Sequence, residues 1–240
     1  MPGSDARQWI TEQLDRAGQR LVGPMGVPRV RPWSVVIRIP TQDGGVWFKA
    51  NRGQTTYEPA LLGVLARQAP GLVLDPIATD VRRAWSLLPD GGPILRSFPD
   101  DAVLRDWERL LPAYAELQQR LSPQAEDLIA AGVPDDRPER LPELLAAILD
   151  KADVLLVDEP DGLSMAELAR LYEHVPALAE RCAVLAESGV APTIDHSDLH
   201  DGNVFRRHDA YAVFDWGDAC VAHPSHRCWS RCPRSEPGTT

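Results

Sequence analysis

The sequence predicts an α+β fold in two lobes, a small antiparallel sheet followed by a mainly helical region. β-Branched residues gather on either side of an Asp-Gly turn between residues 35 and 50. Beyond residue 94 the apolar residues instead recur at helical spacing. Between the two patterns, Pro89-Asp90-Gly91-Gly92-Pro93 is a breaker cluster and the best boundary. The expected division is residues 1–89, residues 90–224 and an irregular tail at 225–240.

The elements follow in order. Ser4 is placed to cap a first helix with Trp9, Ile10, Leu14 and Ala17 on one face and Gly18 at its end. Residues 27–31 form a short strand, Pro32-Trp33-Ser34 a turn, and residues 35–39 a second strand. The hairpin turn at 41–45 leads into a third strand, 46–50. On that strand Val46, Phe48 and Ala50 share one face, and Trp47 and Lys49 the other. Glu58 opens the next helix, with Pro59 tolerated in its first turn and Leu61, Leu62, Val64 and Leu65 as its apolar side. Residues 77–79 and 84–88 are two further strands.

In the helical region, Val103, Leu104, Trp107, Leu110, Leu111, Tyr114, Leu117 and Leu121 form an apolar stripe, with a kink expected at Pro112. Residues 141–152 form a short helix. Ser164 and Glu167 make a capping box for a helix carrying Leu168, Leu171, Val175, Leu178, Cys182 and Leu185, which Pro176 should kink or split. Cys182 reads as a small core residue.

Size and composition set limits. A chain of 240 residues can bury one large core or two small ones. Apolar (44%) and charged (25%) contents are ordinary for a soluble globular protein. A net charge of -10 argues against a nucleic-acid partner, whose phosphates it would repel. Four cysteines, three of them after residue 219, do not make a disulfide framework, so a reducing, cytoplasmic location is expected. The polar first residues show no signal peptide, and no apolar run approaches the roughly 20 residues that a membrane span requires.

The chemistry concentrates in His196-Ser197-Asp198-Leu199-His200-Asp201-Gly202-Asn203, a loop by composition. A hairpin follows, turning at His208-Asp209-Ala210, and its second strand delivers Asp215-Trp216 beside the loop. Phosphoryl transfer needs a carboxylate to accept the proton of the attacking hydroxyl, and oxygen ligands for Mg²⁺. Asp198 suits the first role, and Asn203 with Asp215 the second. Lys49 on its strand can contact phosphates, and Glu58 can hold Lys49 extended. His196 braces the loop, Trp216 packs under Asp215, and Asp218 is a loop charge. An alternative chemistry is a metallohydrolase in which His196, Asp198, His200 and Asp201 ligate metal. Only the phosphotransferase reading needs Lys49 and Glu58.

The pattern His-x-Asp-x-x-x-x-Asn followed by a strand and Asp resembles the kinase catalytic loop and its metal-binding aspartate. In the form His-x-Asp-Leu-His-x-Gly-Asn with Phe-Asp-Trp, it resembles the aminoglycoside phosphotransferase family over about residues 19 to 224. The resemblance implies a two-lobed protein-kinase-like fold and transfer of the γ-phosphoryl group of ATP or GTP, with Mg²⁺, to a small-molecule hydroxyl. It implies Asp198 and His200 as catalytic residues and Asn203 and Asp215 as metal ligands. It assigns Lys49, Glu58 and Ser34 to the phosphate end of the nucleotide, and Leu87, Leu88 and Pro89 to a hinge that bonds the base. The expected partners are a nucleotide and a small acceptor, with no nucleic acid and no membrane.

Two features depart from the family. No Gly-rich loop joins the first two strands, which is why Ser34 in the plainer turn is the phosphate candidate. After Pro224 the family's usual helices give way to a tail rich in Arg, Ser, Cys and Pro, so a truncated C-terminus is expected. A nucleotide-binding remnant without transfer activity is therefore a further alternative. His223, His226, Cys228 and Cys232 could bind Zn²⁺, but their spacing matches no common finger.

Overall fold

A two-residue loop, Gln42-Asp43, sets the register of the sheet: Thr41 pairs with Gly44, and the ladder runs back from there to Ser34 opposite Asn51. Gly44 takes φ 124, a backbone region that a side chain disfavours, which explains the glycine. The computed structural model describes residues 3–207 and 210–226. His208 and Asp209 of the expected turn, and Cys228 and Cys232 of the tail, lie outside the described residues.

The chain divides into two compact units. The first comprises Met1–Val133 and His196–Ala219. It begins with α1 (Ser4–Arg16) and continues through β1 (Arg29–Val30), β2 (Ser34–Thr41), β3 (Gly44–Asn51), α2 (Glu58–Gln68), β4 (Ala78–Asp80) and β5 (Trp85–Pro89). The strands form one antiparallel sheet in the order β1-β2-β3-β5-β4. Alternation along β3 decides what each face does. Val46 and Phe48 bury against Trp9, Ile10 and Leu14 of α1, together with Ile37, Ile39 and Leu87. Trp9, Phe48 and Trp85 meet with ring centroids 5.6 to 6.0 Å apart, the tilted and edge-on range that aromatic quadrupoles favour. Lys49 and Asn51 point to the other face.

Helix α1 starts earlier than expected. Gly3 is its N-cap, and the Ser4 hydroxyl bonds the Asp5 carboxylate instead of the backbone. Ala17 is the exposed C-cap residue and not part of the buried face.

After β5, a 3₁₀ turn (Leu95–Ser97) leads to α3 (Asp100–Leu121) and the short α4 (Ala125–Ala130). Leu110, Tyr114, Leu117 and Leu121 bury as their spacing predicts. Leu104 and Leu111, assigned to the same stripe, are exposed. The buried position on that face is Asp106, whose carboxylate accepts a hydrogen bond from the Tyr211 hydroxyl at 2.8 Å and faces Arg206 at 3.4 Å. A paired charge is thus buried at a position that the apolar period left out.

The second unit comprises Pro134–Asp195 and the described residues from Cys220 onward. Helix α5 (Leu141–Leu149) is shorter than the expected 141–152, and it packs on α6 (Met165–Ala186). The Ser164–Glu167 capping box forms in full. Helix α6 continues through Pro176 instead of splitting there. It buries Leu168 and Cys182 but leaves Leu171 exposed. Strand β6 (Thr193–Asp195) pairs antiparallel with β9 (Cys220–Ala222). In the first unit β7 (Val204–Arg207) pairs with β8 (Ala210–Val213), the hairpin expected from the sequence. No helix among the described residues is long and apolar enough to cross a membrane.

Candidate active site

Lys49, Glu58, Ser34, Leu87, Leu88, Pro89, Asp198, His200, Asn203 and Asp215 all lie in the first unit. Strand β3 carries Lys49 away from the α1 core, and α2 begins at Glu58. The Lys49 ammonium sits 2.6 Å from Glu58 Oε2 and 2.5 Å from Asp215 Oδ1. Burial pulls the Lys49 pKa down, but Glu58 and Asp215 outweigh it and hold the ammonium above its ordinary value. Partial burial pushes the Asp215 carboxyl up, and Lys49 more than offsets this, so it lies below its ordinary value. Asn51, not singled out in the sequence, donates to Glu58 Oε2 at 2.5 Å and to the Thr55 carbonyl at 2.7 Å. It bonds the same Oε2 that Lys49 contacts, so the buried Glu58 carboxylate has two partners from β3.

Asp215 is set by backbone as well as charge. It adopts a left-handed conformation, φ 64 and ψ 58, which Asp tolerates better than most residues. Beneath it, Trp216 is fully buried and donates its indole N–H to the Val213 carbonyl. The hydroxyl of Tyr57, just before α2, lies 2.8 Å from the Gly217 carbonyl and 2.7 Å from that of Ala219, sharing its single proton between them. Helix α2 and the Asp215 segment are thereby tied together, which keeps Glu58 and Asp215 on the same ammonium.

The loop from His196 to Asn203 is braced from inside. His196 is fully buried, and its Nδ1 accepts the Asp198 N–H, so Nε2 carries the proton donated to the Phe214 carbonyl at 2.8 Å. Phe214 N–H in turn bonds the Asn203 carbonyl, bringing Asn203 beside the Asp215 segment. Asn203 Nδ2 donates to both the carbonyl (2.9 Å) and Oδ2 (3.0 Å) of Asp198. With its nitrogen engaged there, the amide oxygen is the atom of Asn203 suited to a cation. That oxygen and the Asp215 carboxylate are hard oxygen donors, a set that fits Mg²⁺.

His200 is held by a residue that the sequence did not mark. The Gly202 N–H (2.8 Å) and Arg96 Nη2 (3.1 Å) both approach His200 Nδ1, so Nδ1 is the acceptor and the proton is on Nε2. Nε2 faces Asp198 Oδ2 at 3.5 Å. Arg96 also donates twice to Asp201 Oδ1, at 2.9 and 3.1 Å. A Cβ on Gly202 would come within 2.8 Å of both side chains, so this contact requires glycine. His196, His200 and Asp201 are therefore occupied by backbone and by a guanidinium. They do not converge on one point as a hydrolase metal would need.

The remaining candidates are placed as follows. Ser34 begins β2, is buried, and donates its N–H to the Arg31 carbonyl to close the turn. Leu87, Leu88 and Pro89 lie within β5 and pair with Phe48, Trp47 and Val46 of β3. The Leu87 carbonyl already accepts Ile77 N–H. Asp218 is exposed, as expected of a loop charge.

The sequence model of the phosphotransferase enzyme family matches residues 46–234. The chain belongs to this family. As a phosphotransferase it is also similar in fold to solved relatives. Macrolide 2'-phosphotransferase type I superposes with a TM-score of 0.54 at 18% identity, covering 94% of this chain and 75% of that one. A GDP complex of aminoglycoside 2'-phosphotransferase-IIIa gives 0.54 and 18%, covering 91% and 74%. Choline kinase LicA from Streptococcus pneumoniae gives 0.58 and 12%, covering 91% and 70%. No curated protein sequence is similar enough to count as a match. The phosphotransferase fold is thus the α+β, kinase-like fold that the sequence predicts.

Proposed function

We propose that this phosphotransferase moves the γ-phosphoryl group of ATP or GTP to a hydroxyl of a small molecule. The observation that carries the reading is the Lys49 ammonium held between Glu58 and Asp215, with the Asp198–Asn203 loop registered beside it. Glu58 keeps Lys49 extended, and the nucleotide phosphates take the place of Asp215 as its second partner. Asp215 and the Asn203 amide oxygen would hold Mg²⁺, which when bound would neutralise charge on the phosphates. Asp198 accepts the proton of the attacking hydroxyl, oriented by Asn203 and the Nε2–H of His200. Residues 1–89 supply the phosphate contacts, and 90–224 the loop and metal ligands. Leu88 and Pro89 lead the chain past the base. Ser34 offers its hydroxyl to the phosphates, because its N–H closes a turn.

The relatives named above are described by their acceptors as macrolide, aminoglycoside and choline kinases, and a GDP complex is among them. Those names define the panel to test. Purified protein with Mg²⁺ and γ-labelled ATP or GTP should label at least one hydroxylated acceptor from these classes, and Asp198→Asn should not. Mg²⁺-dependent nucleotide binding with no labelled acceptor would move the reading to a nucleotide-binding protein without transfer activity.

A further inference from the structure

Within the second unit, Asp136, Cys220 and His226 bring a carboxylate oxygen, a thiol sulfur and an imidazole nitrogen within 4.8 Å of one another. The three come from separate pieces of chain, the loop after Val133, strand β9 and the turn after it. Backbone bonds hold them together. Val221 N–H bonds the Pro134 carbonyl at 2.8 Å, and Asp136 N–H bonds the Val221 carbonyl at 2.9 Å, so the loop runs alongside β9. His226 N–H bonds the His223 carbonyl at 2.8 Å and folds the turn back. The neighbouring Asp135 is engaged elsewhere, with its carboxylate on the Arg137 guanidinium at 2.8 Å. Asp136 is the acid that joins the cluster, and Cys220 is 1% exposed.

We infer that these three side chains form a zinc-class site, separate from the phosphotransferase centre. A mixed sulfur, nitrogen and oxygen set suits Zn²⁺ and not Mg²⁺, because thiolate is a soft donor and Mg²⁺ demands oxygen. Bonds of about 2.0 to 2.3 Å at tetrahedral angles separate ligand atoms by roughly 3.5 Å. A spread of at most 4.8 Å therefore closes by side-chain rotation. Three protein ligands leave the fourth position to water. On binding, the Cys220 thiol loses its proton to solvent and the thiolate bonds the metal. The ion clips the 134–136 loop to β9 and to the turn beyond it. Among the described residues, His226 is the tail residue offered by the sequence that joins this set, and His223 does not.

The test uses the reduced 240-residue protein titrated with Co²⁺ and with Zn²⁺ in the presence of excess Mg²⁺. One equivalent of Co²⁺ should produce a thiolate-to-cobalt charge-transfer band, which Zn²⁺ removes and Mg²⁺ does not. Cys220→Ser should abolish the band, His226→Ala and Asp136→Asn should each weaken binding at least tenfold, and Cys228→Ser/Cys232→Ser should keep it. Absence of the band in the wild type overturns the proposal, as does a band that survives Cys220→Ser or is lost with Cys228 and Cys232. If Cys220→Ser fails to fold, unchanged affinity in both His226→Ala and Asp136→Asn overturns it equally.

Discussion

Lys49 and Asp215 are 166 residues apart in sequence and share a 2.5 Å ion pair. Their link is also an on-off contact for the proposed chemistry, because the groups that should separate on nucleotide binding are those paired without it. Glu58, 1% exposed, remains with Lys49 in either case.

Replacing Lys49 by Met should therefore cost stability as well as nucleotide affinity. It leaves the Glu58 carboxylate buried without its cation, a loss of about 3 kcal/mol or more. Urea denaturation measures it, and a cost below about 1 kcal/mol would show Asn51 alone to be enough for Glu58.

The stability difference between wild type and Lys49→Met has a defined pH dependence. Asp215 is depressed below its ordinary 3.8, so its contribution is complete above that value and is lost as pH falls through the folded value. Lys49 is raised above 10.5, so its contribution is complete below that value and is lost as pH rises through the folded one. The difference in melting temperature should be largest in the interior of the interval between these two ordinary values and shrink towards both ends. A steady slope through neutral pH contradicts the assignment.

Asp215→Asn should remove Mg²⁺-dependent nucleotide binding and leave the fold intact, because Asn also tolerates the left-handed backbone. Calorimetric titration with Mg-ATP and Mg-GTP reports it. Wild-type affinity in the variant would exclude Asp215 as a metal ligand.

Asp198→Asn should lower transfer by about 10²-fold or more while nucleotide affinity stays within a few-fold, the pattern of a lost general base. Parallel losses of affinity and rate would instead assign Asp198 to the metal.

Arg96→Leu should act through His200. The wild-type imidazole should show a protonated Nε2 in long-range ¹H–¹⁵N spectra, and the variant a mixture of tautomers. The catalytic constant should fall by about tenfold, or about 1.4 kcal/mol, with nucleotide affinity unchanged. An unaltered spectrum in the variant would assign the tautomer to Gly202 alone.

Much of this site was legible because local rules happened to agree with it. Strand alternation put Lys49 opposite the Val46–Phe48 face, and Glu58 stood at a helix start marked by Pro59. Asn51, Arg96 and Tyr57 were not legible, since each acts on a partner that only tertiary folding supplies. Asn51 reaches across one turn to Glu58, whereas Arg96 and Tyr57 reach segments more than 100 residues away. Strands β6 and β9, three residues each, are too short to show a period of two. The α3 stripe misled because helical spacing identifies a face, whereas which neighbours cover it decides burial. Tyr211 and Arg206 cover Asp106, and nothing comparable covers Leu104.

Ser197 and Asp215 both hold left-handed backbone, at φ 56 and φ 64, without being glycine. Such conformations cost of the order of 1 kcal/mol each, and they sit at either end of the loop and hairpin that present Asp198 and Asp215. The fold thus keeps a small reserve of tension where the chemistry is proposed, and evolution or design could release it. Ser197→Gly is expected to make the protein tougher to unfold and poorer at its task, a trade of function for robustness set by a single dihedral angle.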